Sequence, residues 1–502
     1  MAKPCIILLL LFLFLGSCKK DASVVPAAIA TGTRLQLSLD SLYLYARETY
    51  LWYDLLPDYN TFNPRQYTGS GADISNLRIE LNAIASLAIN PRTLHSYEYR
   101  TGYSQSLYSY IIEGNIITGR RGEVDIDGKG NDMGLGMALV NGSAVYISLV
   151  EQGSPAEAAG LARGMQVVKV NGIAAPLDIA SLNDLLNGAS ATLTVRKQDG
   201  SITETTVNKS GYTASPVLKT CILTAGNKRS GYIALARFSN IRDAKSVLDG
   251  VFTPLAAAGI SNLIVDLRYN RGGYVETAEY TANLIAPSGI NGSVMFSEHF
   301  NELLAQVKAP ILKTIPYLDE NRQPVYVNGR KATYADVDYS VAGNTYRFSK
   351  AGGLSGIKSI VFIVSGNTAS ASELLINSFR PYVDVKLVGS TTYGKPVGFF
   401  GIGIDVYTVY LAQFRMLNAS EQGDYYEGMS CDVTAADDVT HDFGDPEENC
   451  IAQAIQYIST GTFRINSPIT VQGRQTDASR ISISTVEANR FSGMVENRLK
   501  LR

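Results

Sequence analysis

Histidine is nearly absent from this chain, with three residues in 502. Few places remain for a histidine base. His95 and His299 sit in no recognisable motif. His441 has acidic neighbours, Asp437, Asp438 and Asp442, but no Gly-x-Ser-x-Gly elbow supplies a nucleophile for Ser-His-Asp chemistry. Cysteine is also scarce, at five. Beyond Cys5 and Cys18 in the N-terminal run, Cys221, Cys431 and Cys450 remain. That odd number allows at most one internal disulfide, with Cys431–Cys450 as the candidate pair in an oxidising compartment. None has metal-ligand spacing. Charge of one sign is lacking as well. Forty-four basic residues face 46 acidic ones, the net charge is -2, and no basic stripe is present. Nucleic acid is thereby excluded as a partner class. Apolar residues make up 45% and charged residues 18%, the balance of a folding chain of about three domains.

One uninterrupted apolar run exists, "CIILLLLFLFLG", after Lys3. It is too short to span a bilayer and has the shape of a signal-peptide core. Leu15-Gly16-Ser17-Cys18 resembles a bacterial lipobox. The resemblance implies cleavage before Cys18 and its acylation, and more than one acyl chain makes a stable membrane anchor. An ordinary secretory signal and an N-terminal anchor helix are the alternatives. All three place the mature chain outside the cytoplasm. The lipobox reading expects residues 1–17 as signal peptide, 18–34 as tether, and a lipid-anchored position in the bacterial cell envelope, at the outer membrane.

Residues 35–115 read as a small helical, aromatic-rich module. Leu42, Tyr45, Ala46, Thr49, Trp52, Tyr53 and Leu56 recur at helical steps, and Pro57 stops the run. Residues 120–208 are β-rich, with a short helix expected at Ala156–Ala159 and a hairpin over Asp199-Gly200. The string "GSPAEAAGL…GMQVVKVNG" looks like that of a PDZ domain. The resemblance implies that Gly134-Leu135-Gly136 is the loop whose backbone receives a peptide carboxylate, while the peptide adds a strand to the sheet edge. A glycine turn that binds nothing is the alternative.

Residues 215–460 alternate strands ("GYIALARF", "NLIVDLRYN", "SIVFIVS", "DVKLVGS") with helices, the pattern of parallel βαβ units. Patterning weakens over 300–350, consistent with an insertion, and residues 461–502 show no clear pattern. Three loops follow three of these strands: Asn270-Arg271-Gly272-Gly273, Gly366 to Ser370, and Thr391 to Lys395. In a right-handed parallel sheet all three emerge at the carboxyl edge, where open α/β sheets form their sites. The chemistry they bring suits acyl transfer. Ser370 needs a base. Lys395, in an apolar stretch, can be that base if burial lowers its pKa from about 10.4 to about 7, a change of about 4–5 kcal/mol. An oxyanion needs fixed N–H donors, for which Ala371 and one of Gly272 and Gly273 are candidates. Ser370-Ala371-Ser372-Glu373 also reads as a capping box, and that reading is compatible with a nucleophile beside the helix dipole.

"DLRYNRGG", "TASASE" and "TTYGKPVG", with Lys395 25 residues after Ser370, together resemble the S41 peptidases, the C-terminal processing or tail-specific proteases. The resemblance covers roughly residues 120–455. It implies a crotonase/ClpP-like α/β core with parallel βαβ units, a Ser370–Lys395 dyad, polypeptide substrates engaged through exposed C-termini, and no metal or cofactor. Two departures stand out. Some relatives have Asp eleven residues after the serine, where this chain has Pro381. Others have Gln four after the lysine, where this chain has Phe399. Asp384 is a nearby candidate to orient Lys395. A degenerate site that binds peptide without cleaving it is the competing reading. Asp266 and Arg268 are expected to form a structural ion pair.

Overall fold

The computed structural model describes residues 31–99, 105–114, 124–226, 228–319, 323–464 and 498–502, with short strand pairings at 470–471, 474–475, 483–485 and 493–495. Cys18 and residues 1–17, expected from the sequence to be a signal peptide, lie outside the described residues. Among the described residues no helix is long and apolar enough to cross a membrane.

Helix α1 (Arg34–Thr49) starts at Thr33, whose hydroxyl and Gln36 side chain complete a capping box. Leu35, Leu39, Leu42, Tyr43 and Ala46 form its buried stripe and face α2 (Asp73–Leu87). The helical periodicity extended to Leu56 in sequence, but the helix ends earlier, with Tyr50 turning extended. Trp52 then stacks on Tyr97 at 4.4 Å, so its burial comes from a tertiary aromatic contact. This module shares one hydrophobic cluster with the α/β unit, and Tyr110–Glu113 pairs antiparallel with Tyr407–Tyr410.

The β-rich unit is an antiparallel sheet in chain order: β1 (Leu135–Val140), β2 (Ala144–Val150), β3 (Gln166–Val170), β4 (Ser190–Arg196) and β5 (Ile202–Asn208). Met137, Ile147, Val167, Leu193 and Val195 fill its core. Gly200, at φ 84°, closes the β4–β5 turn, a conformation that favours glycine. Residues 483–485 lie antiparallel along the outer edge of β1, with Thr485 opposite Ala138.

A six-stranded sheet forms the centre of the α/β unit. Five strands are parallel and adjacent: β6 (Lys228–Leu235), β7 (Asn262–Asp266), β8 (Ser359–Val364), β9 (Asp384–Gly389) and the short Val433–Thr434. Side chains alternate between its two faces. Leu263, Val265, Ile360 and Phe362 join the cluster under helices α3 (Ile241–Ala257), α4 (Val275–Ile285) and α5 (Ala371–Phe379). Ile264, Val361 and Val388 join the opposite cluster, under α6 (Asn449–Thr460). The near-continuous apolar strands follow from this double coverage. The weakly patterned 300–350 region is tied to the core at its end, through Thr345–Arg347. Val294–Phe300 pairs with Thr345–Arg347 and Phe414–Asn418 in a second sheet.

Two ion pairs, one buried and one half-buried, tie the β-rich unit to the α/β unit. Arg237 meets Glu151, and Arg163 meets Asp437. Asp437 also meets Arg268, which pairs with Asp266 and Glu448. Asp266 and Arg268 are therefore structural partners inside a larger network. Residues 441–448, "HDFGDPEE", end in Glu448, which also accepts the Ile451 N–H as the N-cap of α6.

Candidate active site

The loops after β7, β8 and β9 are stitched to one another. The Asn270 carbonyl accepts the Ala369 N–H at 3.3 Å and the Ser372 hydroxyl at 3.1 Å. The Thr368 hydroxyl donates to the Leu267 carbonyl at 2.8 Å, and the Thr368 carbonyl accepts the Tyr393 N–H at 2.9 Å. The three sequence motifs thus meet at one place, at the carboxyl edge of the sheet.

Ser370 stands at the mouth of α5 with φ 63° and ψ -112°. A non-glycine residue there carries backbone strain of about 1–3 kcal/mol, a feature that clusters at functional sites. The side chain is fully buried, and among the described residues its Oγ has no hydrogen-bond partner. The expected capping-box arrangement is present: Glu373 accepts the Ser370 N–H at 2.8 Å, while the Ser370 hydroxyl, turned to the helix start, makes no bond of hydrogen-bond geometry. No hydrogen bond joins Ser370 Oγ to the amine of Lys395 in this arrangement.

Glu373 does more than face the helix start. Buried in full, it accepts the Ser370 N–H, the Thr392 hydroxyl, the Gly394 N–H at 2.7 Å and the Lys395 N–H at 2.8 Å. Burial raises its pKa, and these four donors pull the other way. One carboxylate therefore fixes the serine turn to the Gly-Lys loop.

Lys395 is 1% exposed. Its Nζ lies 4.6 Å from the Phe399 ring centre and reaches the Tyr108 carbonyl at 3.5 Å. Burial lowers its pKa to about 7, against the opposing attraction of Glu98 and Glu373. Asp384 does not orient it. That carboxylate is on the far end of β9, bonded to the Tyr457 hydroxyl at 2.7 Å and to Lys386.

Of the expected oxyanion donors, the Gly272 N–H is already committed to Asn270 Oδ1 at 2.9 Å. Gly273 is the other candidate of the pair, and its backbone is paired with Met494 in a parallel ladder, so it is open to an oxyanion only once residues 493–495 move away. At φ 139° it approaches the Phe238 backbone so closely that a Cβ would lie 2.1 Å from the Phe238 oxygen. Ala371 is the first residue of α5, where N–H groups lie outside the helical ladder. Residues 493–495 run parallel to Gly272–Tyr274. Asn270 is fully buried, and its Nδ2 has no partner among the described residues.

The rival groups lie elsewhere. The His441 ring is held by Asp445 at 2.8 Å within the 438–445 turn, and burial is outweighed there by these acids, which raise its pKa. His441, Asp445 and Glu447 also make the one cluster of metal-ligand type among the described residues, with ligand atoms within 4.8 Å. Cys431 and Cys450 are unpaired, because they belong to opposite faces of the sheet. In the β-rich unit, the Gly134 N–H already donates to Asp132 at 2.7 Å, which removes it as a carboxylate donor. Leu135 and Gly136 lie in β1 opposite Val150 and Leu149, with a register shift after Gly136.

The sequence named Ser370 and Lys395, gave Glu373 only a capping role, and did not mark Glu98 or Tyr108, which the fold brings beside Lys395. Nothing in the local sequence of the N-terminal module marks those two, which meet Lys395 only through the fold.

Two regions of the chain match known families. Residues 229–422 match the model of peptidase family S41, and residues 146–197 match a PDZ domain model. The chloroplastic C-terminal processing peptidase of Tetradesmus obliquus is 24% identical over 285 residues, covering 53% of this chain and 52% of that protein. The carboxy-terminal processing protease CtpA of Bacillus subtilis is 26% identical over 264 residues, covering 51% of this chain and 45% of that protein. The chain thus spans about half the length of the curated relatives it matches. A solved structure of a candidate S41 protease from Bacteroides fragilis superposes with a TM-score of 0.57 at 20% identity, over 84% of this chain and 97% of that one, a likeness of fold.

Proposed function

We propose that this chain, which carries an S41 peptidase domain and a PDZ domain, is an extracytoplasmic serine endopeptidase working by a Ser370–Lys395 dyad. The observation that supports it most is Lys395 itself: a fully buried amine that burial brings to a pKa of about 7, on a loop pinned by Glu373 to the strained turn of Ser370. A lysine that is neutral near pH 7 can accept a proton, and a hydroxyl with no partner has a proton to give.

In this reading Ser370 Oγ attacks the scissile carbonyl carbon as Lys395 Nζ takes its proton. The N–H groups of Ala371 and Gly273 hold the oxyanion, and the ammonium returns the proton to the leaving amine. Water then hydrolyses the acyl-serine, again with Lys395 as base. Ser370 is fully buried, so this arrangement is a closed one, and its serine and lysine come within hydrogen-bond reach as substrate enters. The PDZ domain would receive a substrate C-terminus as a strand on β1, displacing residues 483–485. The lipobox-like Cys18 would anchor the chain to the bacterial envelope.

The purified mature protein is expected to cleave an unfolded polypeptide. Ser370→Ala and Lys395→Ala should each remove that activity, and mass spectrometry should find an acyl group on the Ser370 peptide. A Ser370→Ala protein with undiminished turnover would overturn the assignment.

A further inference from the structure

Pro381 and Phe399 stand here where some relatives have Asp and others Gln, and neither side chain can hydrogen-bond to an amine. The N-terminal module fills that gap. Glu98 is 3% exposed, and both of its carboxylate oxygens are engaged. Oε2 accepts the N–H groups of Tyr108 at 3.0 Å and Ser109 at 2.7 Å. Oε1 accepts the hydroxyls of Tyr50 at 2.8 Å and Ser109 at 2.7 Å. The segment clamped in this way is the one that meets the lysine loop: the Tyr108 carbonyl receives Lys395 Nζ, and the Tyr108 hydroxyl donates to the Gly394 carbonyl at 2.6 Å. Gly394-Lys395 is therefore gripped from two sides. Glu373 holds its N–H groups from the peptidase core, and Glu98 holds the Tyr108–Ser109 backbone against it from the helical module.

We propose that Glu98 is a positioning residue for Lys395, fixing the Tyr108 carbonyl that receives the amine and adding a second counter-charge to that of Glu373. This rests on the dyad reading above. The helical module then completes the active site rather than decorating it. Glu98 touches no substrate; it acts through Tyr108 and through its field on Lys395.

The bland alternative is that Glu98 only satisfies buried amides. The two differ in what happens to the lysine. The ionisable groups facing Lys395 are Glu98, Glu373 and the Tyr108 phenol, which burial keeps protonated. Removing the Glu98 charge while keeping its shape leaves Glu373 as the one remaining anion there. The ammonium form loses support, and the amine stays neutral to lower pH.

The test is Glu98→Gln in the full mature chain. Its first readout is independent of turnover: the pH titration of the Lys395 Cε resonance in protein labelled with [13C]lysine, assigned by its disappearance in Lys395→Met. The expected result is a titration midpoint lower than that of the parent by about one pH unit. The acid limb of kcat/KM should move with it. Glu98→Asp keeps the charge but draws it back by a methylene, and a smaller move in the same direction is expected. That variant carries the test if Glu98→Gln does not fold. An unmoved midpoint overturns the proposal, and so does an upward one, which would report water entering a broken pocket. If the parent shows no hydrolysis while the midpoint still falls, the dyad reading fails and the positioning of Lys395 by Glu98 stands.

Discussion

Ser370 and Lys395 hang from a single oxygen. Glu373 Oε2 accepts the backbone N–H of both, each at 2.8 Å, although 25 residues separate them in the chain. The relationship explains how a serine at a helix start and a lysine on a loop can be registered against each other without a direct bond. It also explains why the closed site can leave the serine hydroxyl unpaired: the backbone, not the side chain, maintains the geometry.

Glu373→Gln should therefore damage the site more than a buried isosteric change ordinarily would. Four donors converge on the carboxylate, two at each oxygen. The amide nitrogen of glutamine would face two of them donor to donor. Loss of about 2–4 kcal/mol of stability is expected, with hydrolysis reduced at least tenfold. Urea unfolding and kcat/KM measure these separately. Full activity with lowered stability would show that the clamp holds the fold and not the site.

Ser370 offers a stability test that separates a nucleophile from a cap. Replacing a capping serine by Ala loses about 1 kcal/mol, and by Gly less. The Ser370 hydroxyl has no partner to lose. Ser370→Ala should therefore unfold at the same temperature as the parent or higher. Ser370→Gly should gain from relief of the positive φ, offset by about 0.5–1 kcal/mol of glycine entropy. A melting temperature for Ser370→Ala below the parent's by several degrees would return the residue to a capping role.

The parts of this fold that were legible in sequence are those set by local pattern. The parallel strands β6 to β9 and helices α3 to α5 are each marked by an apolar run or stripe, and the edge at which their loops gather follows from handedness. Ser370 and Lys395 sit in distinctive loops and could be named. Glu98 and Tyr108 could not, because they are ordinary residues in an aromatic-rich module and reach Lys395 only through a tertiary contact 287 positions long. The unpaired cysteines could not be foreseen either, since which face of the sheet each occupies depends on α6 crossing behind it. Trp52 misled for the related reason that stacking on Tyr97 mimics a helical repeat.

Gly273→Ala should be among the most damaging small changes in the chain. The added methyl would sit 2.1 Å from the Phe238 oxygen, which accepts the Tyr274 N–H and cannot move alone. The positive φ adds strain of about 1–3 kcal/mol. Stability should fall by at least that amount, and kcat should fall further than KM changes, because an oxyanion donor acts in the transition state. A variant that loses stability but keeps kcat would remove Gly273 from the oxyanion role.

Lys395 makes stability depend on pH in an unusual direction. Its pKa is about 7 when folded and near the ordinary 10.5 when unfolded. Between those values the unfolded chain binds the proton that the folded chain releases, so this residue makes stability rise with pH across that window. Below pH 7 both states are protonated, and the folded state carries the whole burden of a buried ammonium, about 4–5 kcal/mol in the limit. Lys395→Met, which fills the same pocket beside Phe399 without charge, should thus be inactive yet more stable than the parent. The gain should be largest below pH 7 and should shrink steadily toward pH 10. Denaturant midpoints of the two proteins measured from pH 6 to pH 10 provide the check. A gain that does not change over that range would mean that Lys395 enters the folded state with its ordinary affinity for protons, and the case for it as a neutral base would be lost.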